Sequence, residues 1–137
     1  MGDAKRGLIK GWLTKALHDL TAARMVTAST EPLFDVGAFH CQQAAEKAVK
    51  AYLVFRDRPF PKTHDVAELI DRAGDFEAGF DRWRDAAGRL TQYATDARYP
   101  GLELAPSRQE YEYAEQAAAG FYEFVCSLLP EDVRPDL

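Results

Sequence analysis

Phe39-His40-Cys41-Gln42-Gln43-Ala44-Ala45-Glu46-Lys47-Ala48-Val49-Lys50-Ala51-Tyr52-Leu53 decides the fold. Advancing about 100° per residue from Val36 collects Gln42, Glu46, Lys50, Gln43, Lys47 and His40 between about 240° and about 40°, in one stripe along a single helix. Ala38, Cys41, Ala44, Ala45, Ala48, Val49, Ala51, Tyr52 and Phe55 fill the rest of the circumference. An apolar arc that wide needs neighbours on several sides, as the central helix of a bundle has, and polar groups confined to one stripe point to a partner.

The flanking sequence supplies those neighbours. Residues 9–28 place Trp12, Leu13, Ala16, Leu17, Leu20 and Ala23 on one face of a first helix, and Pro32 closes the loop after it. The central helix covers 36–55 and ends before Arg56-Asp57-Arg58-Pro59-Phe60-Pro61, where two prolines forbid a further interior turn. Thr63 is the expected N-cap of a short third helix that stops near Gly74. A fourth helix over 77–98 lines up Phe80, Trp83, Ala86, Ala87, Leu90, Tyr93, Ala94 and Ala97, and Pro100 disfavours α geometry at Tyr99. Ser107-Arg108-Gln109-Glu110 forms a capping box that opens a fifth helix running to about Leu129. Strand-like alternation is nearly absent, so the expectation is an all-α domain of about five helices over 1–137.

Composition narrows the function. A chain of 137 residues that is 47% hydrophobic suits one core. A net charge of −5 argues against a general polyanion binder. Basic charge is nevertheless concentrated between Glu46 and Lys62, where Lys47, Lys50, Arg56, Arg58 and Lys62 oppose Glu46 and Asp57, a natural place for an anion. Cys41 and Cys126 fall among apolar neighbours and are expected to be reduced packing residues of a cytoplasmic protein. The first thirty residues lack an apolar signal-like run, and charges interrupt every apolar stretch, so neither secretion nor membrane spanning is expected.

Two positions, Asp19 and Arg98, conflict with their surroundings. Asp19 projects between Trp12, Ala23 and Val26 at the edge of an apolar stripe, where a carboxylate either stays solvated at the rim or pairs with a cation such as Lys47 or Arg98. Arg98 leaves the fourth helix on its buried side, as a clamp for an ion or ligand or as a C-terminal cap, with Tyr99 beside it to offer a ring and a hydroxyl. Glu46 precedes Lys50 by four residues, the favourable order for an intrahelical pair. His40 and His64 lie close to the basic stretch, but neither has a metal partner at ligand spacing, and HExxH and CxxC are missing. No cofactor is expected, because GxGxxG, the phosphate-binding GxxxxGK[ST] and a serine-hydrolase elbow are all missing. A phosphate would have to be held by Lys47, Lys50, His64 and Arg98 in a groove between helices, with amides near Thr63.

Trp12-Leu13, Ala16 and Asp19-Leu20, then the stretch 39–53, then Lys62-Thr63-His64-Asp65 and Arg98-Tyr99-Pro100, taken in this order and spacing, resemble the HEPN domain, the "higher eukaryotes and prokaryotes nucleotide-binding" family. The resemblance implies an up-and-down bundle with a core over about 10–127. It also implies frequent homodimers and partnership with a minimal nucleotidyltransferase in toxin–antitoxin or related systems. Many relatives are metal-independent ribonucleases in which an Arg grips phosphate and a His four to six residues later moves protons. Arg98 matches that Arg, but Tyr99-Pro100-Gly101-Leu102-Glu103-Leu104 contains no His, leaving His64 as a distant substitute. The chain looks more like the Arg-Tyr-Pro branch, for which nucleotide or RNA binding is the implied role. The leading expectation is a binding or accessory protein using Lys47, Lys50, His64, Arg98 and Tyr99, with Asp19, Glu46 and His40 as charge partners. A ribonuclease acting across a dimer, with Arg98 and His64 as candidate catalytic residues, and a non-catalytic protein-interaction bundle are the alternatives.

Overall fold

The computed structural model describes residues 1–94 and 105–136. Among the described residues five α-helices carry the fold: α1 (Asp3–Thr27), α2 (Phe34–Phe55), α3 (Val66–Gly74), α4 (Arg84–Thr91) and α5 (Arg108–Ser127). Short 3-10 segments lie at Ala78–Trp83, Gln92–Ala94 and Glu131–Val133, and no strand occurs among the described residues. No helix among those residues is long and apolar enough to cross a membrane.

As its composition requires, α2 is central. Ala38, Ala44, Ala45, Ala48 and Ala51 are fully buried, and so small a side chain lets neighbouring backbones approach closely at no cost in helix propensity. α1 runs antiparallel to α2, as the ion pairs Lys5–Asp57 and Asp19–Lys47 show, and α5 packs on another side. Gly37 marks the tightest point: a Cβ there would lie 2.7 Å from both Thr27 Cγ2 and Tyr111 Cε1. α2 ends in a Schellman turn, with the Arg58 amide donating to the Leu53 carbonyl at 2.9 Å, the Asp57 amide to Val54 at 3.0 Å, and Asp57 at φ 55°.

Three boundaries differ from the sequence reading, the first being the start of α1 at Asp3 rather than at residue 9. Asp65, rather than Thr63, caps α3: its Oδ1 accepts from the amides of Ala67 at 3.0 Å and Glu68 at 3.3 Å, while the Thr63 hydroxyl accepts from the Asp65 amide at 3.1 Å. The fourth helix is not continuous. Ala78–Trp83 is 3-10 wound, which brings residues three apart into line and lays both Phe80 and Trp83 against Phe121 and Phe124 of α5. After α4 the backbone tightens again at Gln92–Ala94, and the expected continuation to 98 lies outside the described residues. The α5 capping box forms as read, with Ser107 Oγ accepting from the Glu110 amide at 3.1 Å and Glu110 Oε1 from the Ser107 amide at 2.9 Å.

Candidate functional site

The stripe along α2 consists of side chains four residues apart, Gln42–Glu46–Lys50 and Gln43–Lys47, with His40 beside them, and α1 and the loop before α3 face it. Asp19 reaches this stripe from α1. Its Oδ2 accepts from Lys47 Nζ at 2.6 Å and its Oδ1 from His40 Nδ1 at 2.8 Å. Glu46 repeats the pattern: Oε2 accepts from Lys50 Nζ at 2.9 Å and Oε1 from His64 Nδ1 at 2.8 Å. Gln42, fully buried, links the stripe to the loop by donating from Nε2 to Glu46 Oε1 at 3.1 Å and to the His64 carbonyl at 2.9 Å. Gln43 Nε2 donates to Gln42 Oε1 at 2.7 Å.

Each cluster therefore holds one carboxylate between a lysine and a histidine. A carboxylate paired with an ammonium has only lone pairs to offer, so Nδ1 must carry the hydrogen in both rings. Nε2 is then a bare acceptor in the neutral ring and a donor in the protonated one. The His64 side chain is 61% exposed and that of His40 is 28% exposed, so the fixed orientation is available at the surface.

Lys50 is turned inward. Its Nζ sits 5.5 Å from the Trp12 ring centre and 5.6 Å from that of Phe60, in the angle between two rings packed edge to face. Burial pushes the Glu46 carboxyl up, but hydrogen bonds from Lys50, His64 and Gln42 together outweigh it and hold Glu46 below the ordinary value. Two lysines cancel two carboxylates, so the histidines set the net charge of the network. Cys41 is not a nucleophile, because burial pushes its thiol up to about 12.

The HEPN domain model matches this chain over residues 9–129. The chain belongs to the HEPN family. Its HEPN bundle superimposes on the crystal structure of TT1696 from Thermus thermophilus with a TM-score of 0.76 and 26% identity, over 90% of this chain and 99% of that one. ST0689, described as an archaeal HEPN homologue, shares the fold with a TM-score of 0.68 at 21% identity, over 88% of this chain and 96% of that one. Comparison with curated proteins finds no match.

Of the residues expected to bind a ligand in this HEPN domain, Lys47, Lys50 and His64 come together on one stripe with Asp19, Glu46 and His40. Arg98 and Tyr99 lie outside the described residues. The lysines face carboxylates rather than open space, and the more exposed members of the network are imidazoles. Helical projection did not single out Gln42 as the link to the loop or Trp12 and Phe60 as walls around Lys50. Gln42 did carry a signal, since it precedes Glu46 by the same four residues that separate Glu46 from Lys50. Phe60 carried none, because its position depends on how the loop after α2 folds back.

Proposed function

We propose that this HEPN domain is a binding or accessory module that recognises the phosphate of a nucleotide or RNA at the α2 stripe, and that it acts with a minimal nucleotidyltransferase in a toxin–antitoxin-like system. One observation carries the first part: two surface imidazoles are pinned through Nδ1 to carboxylates already neutralised by Lys47 and Lys50. A protonated ring held this way presents an oriented Nε2–H to a phosphate oxygen and has little side-chain freedom left to lose on binding. His64 is the more exposed contact, Lys47 and Lys50 offset the charge of the carboxylates that orient the two rings, and Arg98 and Tyr99 complete the site in this proposal.

Titration of the full chain with ATP and with a short RNA tests the reading. Replacing one charge-assisted contact, by His64→Ala or Arg98→Ala, weakens binding by about 1.5–3 kcal/mol. No saturable binding of either ligand overturns the proposal and leaves the protein-interaction bundle ahead. The partner is tested separately by co-expression with a minimal nucleotidyltransferase, and the homodimer by sedimentation. The oriented, unprotonated Nε2 also favours a second reading, a metal-independent ribonuclease in which His64 or His40 replaces the His missing after Arg98. RNA cleavage in the presence of chelator, abolished by His64→Ala or His40→Ala, is its signature.

A further inference from the structure

A second concave site lies away from the carboxylate clusters, where the end of α4, the Gln92–Ala94 turn and the first turns of α5 enclose about 480 Å³. Arg89, Gln92 and Tyr93 project from one wall at spacings of three and four residues, and Gln109 and Tyr113 from the other at a spacing of four, with Glu110 between them. The bundle explains only part of this lining. Glu110 serves the α5 cap, and Gln92 Nε2 donates to the Arg89 carbonyl at 2.8 Å. The Arg89 guanidinium lies over the Tyr113 ring at 4.7 Å, with Asp85 at 3.7 Å. Tyr113 is 38% exposed and stands outside the buried face that Tyr111, Ala114 and Ala118 form on the same helix. Neither the Tyr113 hydroxyl nor the Gln109 amide has a hydrogen bond among the described residues.

The chemistry of this hollow differs from that of the α2 stripe. Arg89 is paired with Asp85 and Glu110 adds a second carboxylate, so there is no surplus positive charge for a bare phosphate. Instead there are a half-exposed aromatic face already accepting a planar cation, a second phenol ring, and two carboxamides offering both donors and acceptors. That combination suits a flat, uncharged heteroaromatic ring with a hydrogen-bonding edge. We propose that the groove receives a nucleobase, stacked on Tyr113 with its polar edge read by Gln109 and Gln92. The inference rests on the phosphate-recognition reading above and adds a surface for the base of such a ligand; the Gln92–Ala94 turn that carries one wall packs on α2.

The test titrates the full-length chain with ATP, inorganic tripolyphosphate and a fluorescent oligoadenylate, in wild type, Tyr113→Ala and Tyr113→Trp. ATP or the RNA binds wild type more tightly than tripolyphosphate does. Tyr113→Ala weakens the base-bearing ligand by about tenfold and leaves tripolyphosphate unchanged, whereas Tyr113→Trp retains affinity and its indole emission is quenched on binding. Loss confined to ATP assigns the base to a mononucleotide, and loss confined to the oligoadenylate assigns it to a single strand. Equal binding of tripolyphosphate and the base-bearing ligands, or a Tyr113→Ala variant that binds like wild type, overturns the base site while the phosphate reading stands. Absence of binding by all three probes overturns both.

Discussion

Asp19 and Glu46 have matching partners, a lysine on one carboxylate oxygen and a histidine Nδ1 at 2.8 Å on the other, yet they assemble them by different routes. Asp19 belongs to α1 and both its partners to α2, so its cluster bridges two helices. Glu46 finds Lys50 one turn along its own helix and takes only His64 from elsewhere, so its cluster pins the loop before α3 onto α2. Environment separates them further. The side chains of Lys50 and Glu46 are 10% and 5% exposed, whereas Lys47 and Asp19 are 24% and 11% exposed. Similar bonding in a drier place makes the Glu46 cluster harder to break, because a partner left alone there cannot turn to water.

The largest expected effect follows from that contrast. Glu46→Ala strands Lys50 between Trp12 and Phe60 and removes the acceptor of His64 and Gln42, and it should destabilise the fold by about 3–5 kcal/mol in chemical denaturation. A loss below about 1 kcal/mol would show that Lys50 escapes to solvent and that the two clusters are equivalent. Next comes the double variant Glu46→Leu with Lys50→Met, which keeps the volume and removes both charges. It should recover most of the loss, with a coupling energy within about 0.5–3 kcal/mol. Asp19→Ala should cost about 1–3 kcal/mol, since Lys47 and His40 already reach water; an effect as large as that of Glu46→Ala would erase the distinction. In Asp19→Ala, nitrogen NMR of the rings should show His40 losing its Nδ1–H preference while His64 keeps it.

The smallest effect concerns pH. The Glu46 carboxyl is held below its unfolded value, so its contribution is complete above the unfolded pKa of about 4.3 and disappears as pH falls through the lower folded value. Glu46→Gln should therefore flatten the acid limb of the stability curve. An unchanged acid limb would mean that Glu46 is not held ionised by its network.

Much of this molecule was legible before any coordinates. The alanine-rich circumference of α2 required neighbours on several sides, the spacing of Glu46 and Lys50 required them to meet, and Ser107 with Glu110 announced the start of α5. Asp19 was visible as a charge in the wrong place, with Lys47 among its possible partners. The break at Trp83 was not legible, because the apolar spacing over 77–98 is compatible with a single α-helix. What favours 3-10 winding is the pair of phenylalanines on α5 against which Phe80 and Trp83 pack.

By itself the sequence determined α2 with its single polar stripe and the capped start of α5, because periodicity and capping act within a few residues along the chain. Only the tertiary structure decided that each carboxylate would pair with a histidine as well as a lysine, and that Lys50 would turn inward between two rings. Those outcomes depend on contacts between residues 10 to 38 positions apart, whose distance and direction are set by how helices and loops pack rather than by spacing along any one of them.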